Sequence, residues 1–142
     1  MKRLLPLLCG VLVLSTVLFG VLWQREAHSH RELEQLWISA AAHASQQLSD
    51  YQQTGESLLL TQAAADLHVM HCAAGQLDTS SAAYADLNAV CSLLLADPLQ
   101  GSTLLSDWMD VMDLAVEEGL VSQGPNWPIR LNELRHALEG AT

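Results

Sequence analysis

The sequence predicts an all-α protein in which an N-terminal transmembrane helix is followed by a small antiparallel bundle of four to five helices. An uncharged run of 20 residues, 4–23, predicts the first part. The second part follows from apolar residues that recur at three- and four-residue steps, and from Gly, Pro and cap residues that divide the chain into pieces of helical length. No segment alternates with period two for long enough to form a strand.

The uncharged run predicts that the lipid bilayer is a partner of residues 4–23. At 1.5 Å per residue the run spans about 30 Å, which is the thickness of a bilayer hydrocarbon core. The short basic tail of residues 1–3 is typical of a signal anchor, so we expect a single-pass protein of the cell membrane with its C-terminal domain outside the cytoplasm. The alternative is a secreted domain, because residues 27–29 (Ala-His-Ser) offer a small-x-small cleavage site.

The first helix of the outer part is expected over residues 24–54, continuing from the anchor. No Pro or Gly separates Trp23 from Tyr51, and the pair Thr54-Gly55 is the first stop signal. Residues 55–142 should form the remainder of the extracytoplasmic bundle.

Three more helices and a short last one are expected in that remainder. The second starts near Ser57 and ends at Gly75, the expected C-terminal cap. The third follows the possible N-caps of residues 78–81 and ends at Asp97-Pro98. The fourth opens at residues 101–103 and ends at Gly119 or at the Gly-Pro pair 124–125, and the last starts at residues 126–128 (Asn-Trp-Pro).

The charge of the chain excludes nucleic acid as a partner. There are 16 acidic residues against 6 Lys and Arg, for a formal charge of −10, and no basic stripe is present to neutralise phosphates. All the acidic residues lie in the outer part, which also disfavours tight docking on an anionic lipid surface.

His68, His71 and Cys72 form the sharpest chemical cluster in the sequence. Their i, i+3, i+4 spacing places two imidazoles and a thiol on one surface of the second helix, a donor set that suits Zn or Cu. We favour a packing role, with His71 hydrogen-bonded in the core, His68 at its rim and Cys72 half exposed. On that interpretation no cofactor is expected.

Cys72 and Cys91 are expected to be free thiols. If helices two and three form a hairpin around residues 75–80, Cys72 lies level with about position 83, which leaves Cys91 about 12 Å away along the axis. A disulfide needs Cα atoms within about 7 Å. A bridge, formed in an oxidising exterior, is the alternative.

Two further groups are candidates for interaction. An acidic stripe on the fourth helix is interpreted as a solvated face, or else as a surface that recognises a cationic partner: Asp107, Asp110, Asp113 and Glu117. Three tryptophans are expected to pack in the core or to form a binding groove: Trp37, Trp108 and Trp127.

No nucleophile beside a base, phosphate loop, metalloprotease helix or catalytic carboxylate pair is recognisable, so we do not expect an enzyme. The leading hypothesis is a noncatalytic, membrane-anchored interaction or accessory module that binds another protein or associates with itself along residues 31–53. The alternatives are an extracytoplasmic metal-binding or sensing domain, secreted if the leader is cleaved, and a redox-sensitive bundle using Cys72 and Cys91.

Overall fold

The computed structural model describes the backbone of residues 4–78, 80–120, 124 and 126–141. Within residues 4–25 it describes four side chains, those of Leu18, Phe19, Val21 and Gln24. The chain divides into two compact units, Met1–Glu32 and Leu33–Thr142.

The described residues form α-helices and one 3₁₀ helix, and they contain no strand. The prediction of an all-α fold is therefore confirmed for this part of the chain. The α-helices are α1 (Leu4–Thr54), α2 (Ser57–Gly75), α3 (Ala82–Ala96), α4 (Leu105–Glu118) and α5 (Asn126–Gly140), and the 3₁₀ helix spans Pro98–Leu104.

The first unit is the N-terminal part of α1. Its described side chains include an ion pair between His28 and Glu32, one helical turn apart, at 3.3 Å. No helix among the described residues is long and apolar enough to cross a membrane. The predicted membrane segment, residues 4–23, lies outside the described side chains except at Leu18, Phe19 and Val21, and the predicted tail, residues 1–3, lies outside the described residues altogether.

The second unit is a small helical bundle around one apolar core. The buried residues of each α-helix recur at the predicted three- and four-residue steps, because burying an apolar stripe is the main favourable term in folding. Alanines dominate the buried faces of α1 and α2, whereas larger side chains fill the core on the later helices. The largest fully buried side chains include Trp37, Leu48, Leu60, Leu67, Met70, Leu87, Leu94, Trp108, Met112 and Leu131.

The antiparallel arrangement of α2 and α3 follows from two contacts. The imidazole of His68 lies 3.7 Å from the Sγ atom of Cys91, and Gly75 faces the ring of Tyr84. Residue numbers that rise along α2 therefore pair with numbers that fall along α3. The predicted register was wrong by about one turn: pairing Cys72 with position 83 places position 64 opposite Cys91, whereas the connection after Gly75 places position 68 there.

Two glycines end helices in the left-handed region that L-residues avoid. Gly55 follows α1 with φ 72°, and Gly119 follows α4 with φ 67°, both at predicted stops. Gly75 was also predicted as such a cap, and that prediction was wrong: it is the last residue of α2, and the helix is capped by Gln76 in a right-handed conformation. Gly75 instead makes room for Tyr84, since a Cβ atom there would lie 3.2 Å from the Tyr84 hydroxyl.

The fourth helix begins later than predicted. Asp97 caps the 3₁₀ helix that starts at Pro98, accepting a hydrogen bond from the Leu99 N–H at 3.1 Å, and α4 starts only at Leu105. Gly101 is buried in the 3₁₀ turn, where a Cβ atom would lie 2.6 Å from the ring of Trp108. Gly101 therefore marks close packing and not a helix start.

Candidate functional site

Two of the three predicted tryptophans line a pocket in the second unit. The pocket has a volume of about 100 Å³ and lies between α1, the α2–α3 hairpin, the end of α4 and the start of α5. We call it the tryptophan pocket. Its principal walls are Trp37, Leu77, Tyr84, Leu87, Leu120 and Trp127.

Trp37 is a buried and hydrogen-bonded wall residue of the tryptophan pocket. It is 1% exposed, and its indole N–H donates to the carbonyl oxygen of Ala115 on α4 at 3.0 Å. The ring of Trp127 packs edge to face against it, with centroids 5.0 Å apart and an interplanar angle of 75°. The indole N–H of Trp127 is buried and has no acceptor among the described residues. The pocket thus combines apolar walls with one unpaired donor on a wall residue.

Two carboxylates fix the backbone beside the pocket. Glu34 on α1 accepts from the Leu120 N–H at 3.0 and 3.1 Å. Glu118, at the end of α4, accepts from the backbone N–H groups of Asn126 and Trp127 at 3.2 and 2.8 Å. A carboxylate is favourable there because the first N–H groups of α5 have no partner within the helix.

The Glu118 carboxylate should make the free energy of unfolding depend on pH. Burial opposes its ionisation, but the hydrogen bonds from Trp127 and Asn126 outweigh burial and lower the pKa of Glu118 below its ordinary value of 4.5. A carboxylate whose pKa is lower in the folded chain than in the unfolded chain stabilises the fold. That stability is fully present above the pKa of the unfolded chain and is lost as the pH falls through the pKa of the folded chain.

We therefore expect Glu118→Gln to lower the free energy of unfolding at pH 7, and the gap from the parent chain to close as the pH falls below about 4.5. Urea unfolding at several pH values measures this gap. Glu117→Gln controls for the same change of charge on the exposed face of α4. A gap for Glu118→Gln that stays constant with pH would contradict the prediction.

Trp108, the third predicted tryptophan, does not line this pocket. Its side chain is fully buried, and Gly101 and Leu94 lie close to it in the core. Tyr84 was not among the predicted interaction residues. Its ring packs against Gly75, and the sequence carries no signal that this ring is the one that approaches.

The acidic stripe lies on an exposed face, as expected for solvated carboxylates. Its four members are all exposed: Asp107, Asp110, Asp113 and Glu117. Asp113 accepts a hydrogen bond from the Ser45 hydroxyl on α1 at 2.6 Å. On α5, the hydrogen bond and the charge of Glu133 raise the pKa of Arg130, and the charges of Asp110 and Asp107 raise it further. The stripe therefore borders both α1 and α5.

His68, His71 and Cys72, the His–Cys cluster, are brought together as predicted. One ligand atom from each lies within 4.8 Å of the others. His68 and Cys72 are exposed, whereas His71 is half-buried and stacks on the ring of Tyr84, with centroids 4.7 Å apart and an interplanar angle of 19°. Tyr84 is therefore shared by the His–Cys cluster and the tryptophan pocket.

The prediction that His71 is hydrogen-bonded in the core was wrong for the described residues. Both ring nitrogens of His71 are buried, and neither has a partner among the described residues. Burial, followed by the nearby charge of His68, lowers the pKa of His71 below its ordinary value of 6.5. Burial therefore favours the neutral form of the imidazole, which has one unprotonated ring nitrogen.

Cys72 and Cys91 are unbonded, but they are closer than predicted. The Sγ atom of Cys72 lies 3.7 Å from His68 Nε2, and the Sγ atom of Cys91 lies 3.7 Å from His68 Nδ1. The expected separation of about 12 Å along the axis was wrong because it assumed a tighter α2–α3 connection. Burial, with a smaller contribution from Cys72, raises the pKa of the Cys91 thiol to about 11.

The sequence matches no protein-family model, and no curated protein or solved structure matches it either.

Proposed function

We propose that this chain is a noncatalytic, single-pass membrane-anchored interaction module whose helical domain binds a basic segment of another protein outside the cytoplasmic membrane. The observation that carries the proposal is the tryptophan pocket, walled by Trp37, Tyr84 and Trp127. Apolar pockets that take a single anchoring side chain supply most of the binding energy in many protein interfaces.

The size of the pocket supports a side-chain occupant. Its volume of about 100 Å³ exceeds the ~30 Å³ that one water molecule takes up in the liquid and is smaller than a cavity of ~150 Å³ that holds benzene. One branched aliphatic side chain or a small ring fits this range. A backbone carbonyl of the same segment would give the buried indole N–H of Trp127 the acceptor that it lacks among the described residues.

The charge of the domain supports a basic partner. Residues 33–142 contain 14 acidic side chains against two arginines, Arg130 and Arg135. The resulting negative electrostatic potential attracts a segment rich in Lys and Arg and repels acidic competitors. The acidic stripe of α4 (Asp107, Asp110, Asp113, Glu117) adds to this field on an exposed face.

A separate protein is favoured over self-association along residues 31–53. The apolar stripe of that segment, which includes Trp37, Ala41 and Leu48, is buried in the core of its own unit. It is therefore not available to a second copy unless the bundle opens. The anchor itself is proposed on the uncharged run 4–23 of the sequence.

Ala83 offers a test, because it lines the pocket while its neighbour Ala82 is exposed and does not. A photo-crosslinking amino acid at position 83, in cells that naturally produce the chain, should capture a segment that is basic and carries a bulky apolar side chain at the point of attachment. Ala83→Phe should then weaken binding of that segment, made as a peptide, by about tenfold or more, because it fills the pocket.

Ala82→Phe is the matched control and should leave the affinity unchanged. Crosslinks no different from those at position 82, or a captured segment that is acidic, would overturn the proposal. Fractionation of the same cells tests the anchor: full-length mass in the membrane fraction supports it, and a soluble product that begins near His30 supports the secreted alternative.

A further inference from the structure

The His–Cys cluster contains the donor set of a metal site that the proposed function does not use. We infer that His68, His71 and Cys72 bind one Zn²⁺ ion on the surface of α2, with the fourth position open to water. The three ligand atoms lie within 4.8 Å of one another, and all come from a single helix whose spacing places them on one face. Zinc accepts this mixture of imidazole and thiolate ligands.

The distance between His68 and Cys72 fits a tetrahedral ion. In such a site, bonds of about 2.3 Å to sulfur and 2.0 Å to nitrogen hold neighbouring S and N ligand atoms about 3.5 Å apart. Cys72 Sγ and His68 Nε2 are 3.7 Å apart. Because both side chains are exposed, small rotations close the remaining gaps of the cluster.

Cys91 completes the site from α3 as a positioning residue. With Nε2 of His68 on the metal, Nδ1 carries the proton, and Cys91 Sγ lies 3.7 Å from it as the acceptor. Histidine ligands of zinc almost always donate their second N–H to a carboxylate, a backbone carbonyl or water, which fixes the ring and its tautomer, and the Cys91 sulfur takes that place here. This contact also explains why a buried thiol lies opposite an exposed histidine.

His71 supplies the strongest sign that something is bound here. Its two ring nitrogens are buried and have no partner among the described residues, although buried polar atoms are rarely left unsatisfied. Stacking on Tyr84 holds the ring, and one ring nitrogen lies within 4.8 Å of the ligand atoms of His68 and Cys72. A metal ion on one nitrogen satisfies a group that the protein leaves unpaired.

Cobalt titration of the untagged, reduced full-length chain tests the site, because Co²⁺ occupies zinc sites and reports its ligands by absorption. We expect thiolate-to-cobalt charge transfer at one equivalent, and its loss when Zn²⁺ is added. Cys72→Ser and His71→Gln should abolish the band. Cys91→Ser should keep a band but weaken Zn²⁺ binding by about 10- to 100-fold, the usual effect of removing a group that orients a ligand.

His43→Gln is the matched control, since it removes an exposed histidine of α1 that pairs with Asp66 and should leave metal binding unchanged. A second readout needs no variant: Zn²⁺ should protect Cys72 from iodoacetamide in the folded parent chain. Absence of the charge-transfer band together with unprotected Cys72 would overturn the inference. Equal loss of binding in His43→Gln would also overturn it, since the effect would then not be specific to the cluster.

Discussion

Trp37→Ala is expected to lower the free energy of unfolding by about 3–5 kcal/mol, the range for truncating a buried tryptophan in a core. Trp37 is 1% exposed. Its indole N–H is hydrogen-bonded to Ala115 on α4, and its ring makes an edge-to-face contact with the ring of Trp127. The variant loses apolar burial and leaves a cavity beside a pocket that is already present. The bundle therefore has little means of filling the space.

Trp37→Phe separates the packing of the ring from its hydrogen bond. It keeps most of the aromatic volume and removes the N–H, so we expect a loss of about 1–2 kcal/mol. The carbonyl of Ala115 keeps the N–H of Gly119 as a donor, which limits the cost. Urea unfolding followed by far-UV circular dichroism measures both variants. A loss of less than 1 kcal/mol for Trp37→Ala would show that this ring does not support the bundle.

Most helix ends could be predicted because their causes are local. Asp97 before Pro98, Ser81 as the N-cap that accepts from the Tyr84 N–H, and glycine after α4 each act within a few residues. The role of Gly101 could not be predicted in the same way. What it requires is space for Trp108, and the sequence does not show which ring will approach.

The candidate sites show the same difference between local and tertiary causes. Periodicity within one helix was sufficient to place His68, His71 and Cys72 on one face. Bringing Cys91 to His68 depends on the register between two helices, which a change of a few residues in their connection shifts by a whole turn. The meeting of Trp37 with Trp127, which are separated by most of the bundle's sequence, is likewise a result of tertiary packing.

Arg135→Met is expected to lower the free energy of unfolding by about 2–4 kcal/mol, because it leaves the Asp86 carboxylate buried without its charge partner. Asp86 on α3 is 7% exposed. The Arg135 guanidinium on α5 donates to its Oδ1 atom at 2.7 Å, and the side-chain amide of Asn132 donates to Oδ2 at 2.9 Å. Methionine retains the apolar stem of arginine, so the change isolates the loss of charge. We place the effect below the ~3–5 kcal/mol of a fully buried pair because the Arg135 side chain is 26% exposed.

Arg130→Met is the matched control on the same helix. Its partner is Glu133 at 2.9 Å, but both side chains are more than half exposed, and such pairs contribute at most about 1 kcal/mol. The double variant Asp86→Asn/Arg135→Met tests the cause directly: it removes the buried charge while keeping an acceptor for Asn132, and it should recover most of the lost stability. If Arg130→Met cost as much as Arg135→Met, or if the double variant were no more stable than Arg135→Met alone, the uncompensated carboxylate would not be the cause. The restoring effect of Asp86→Asn is therefore the decisive measurement, because simple loss of arginine packing would be unchanged by it.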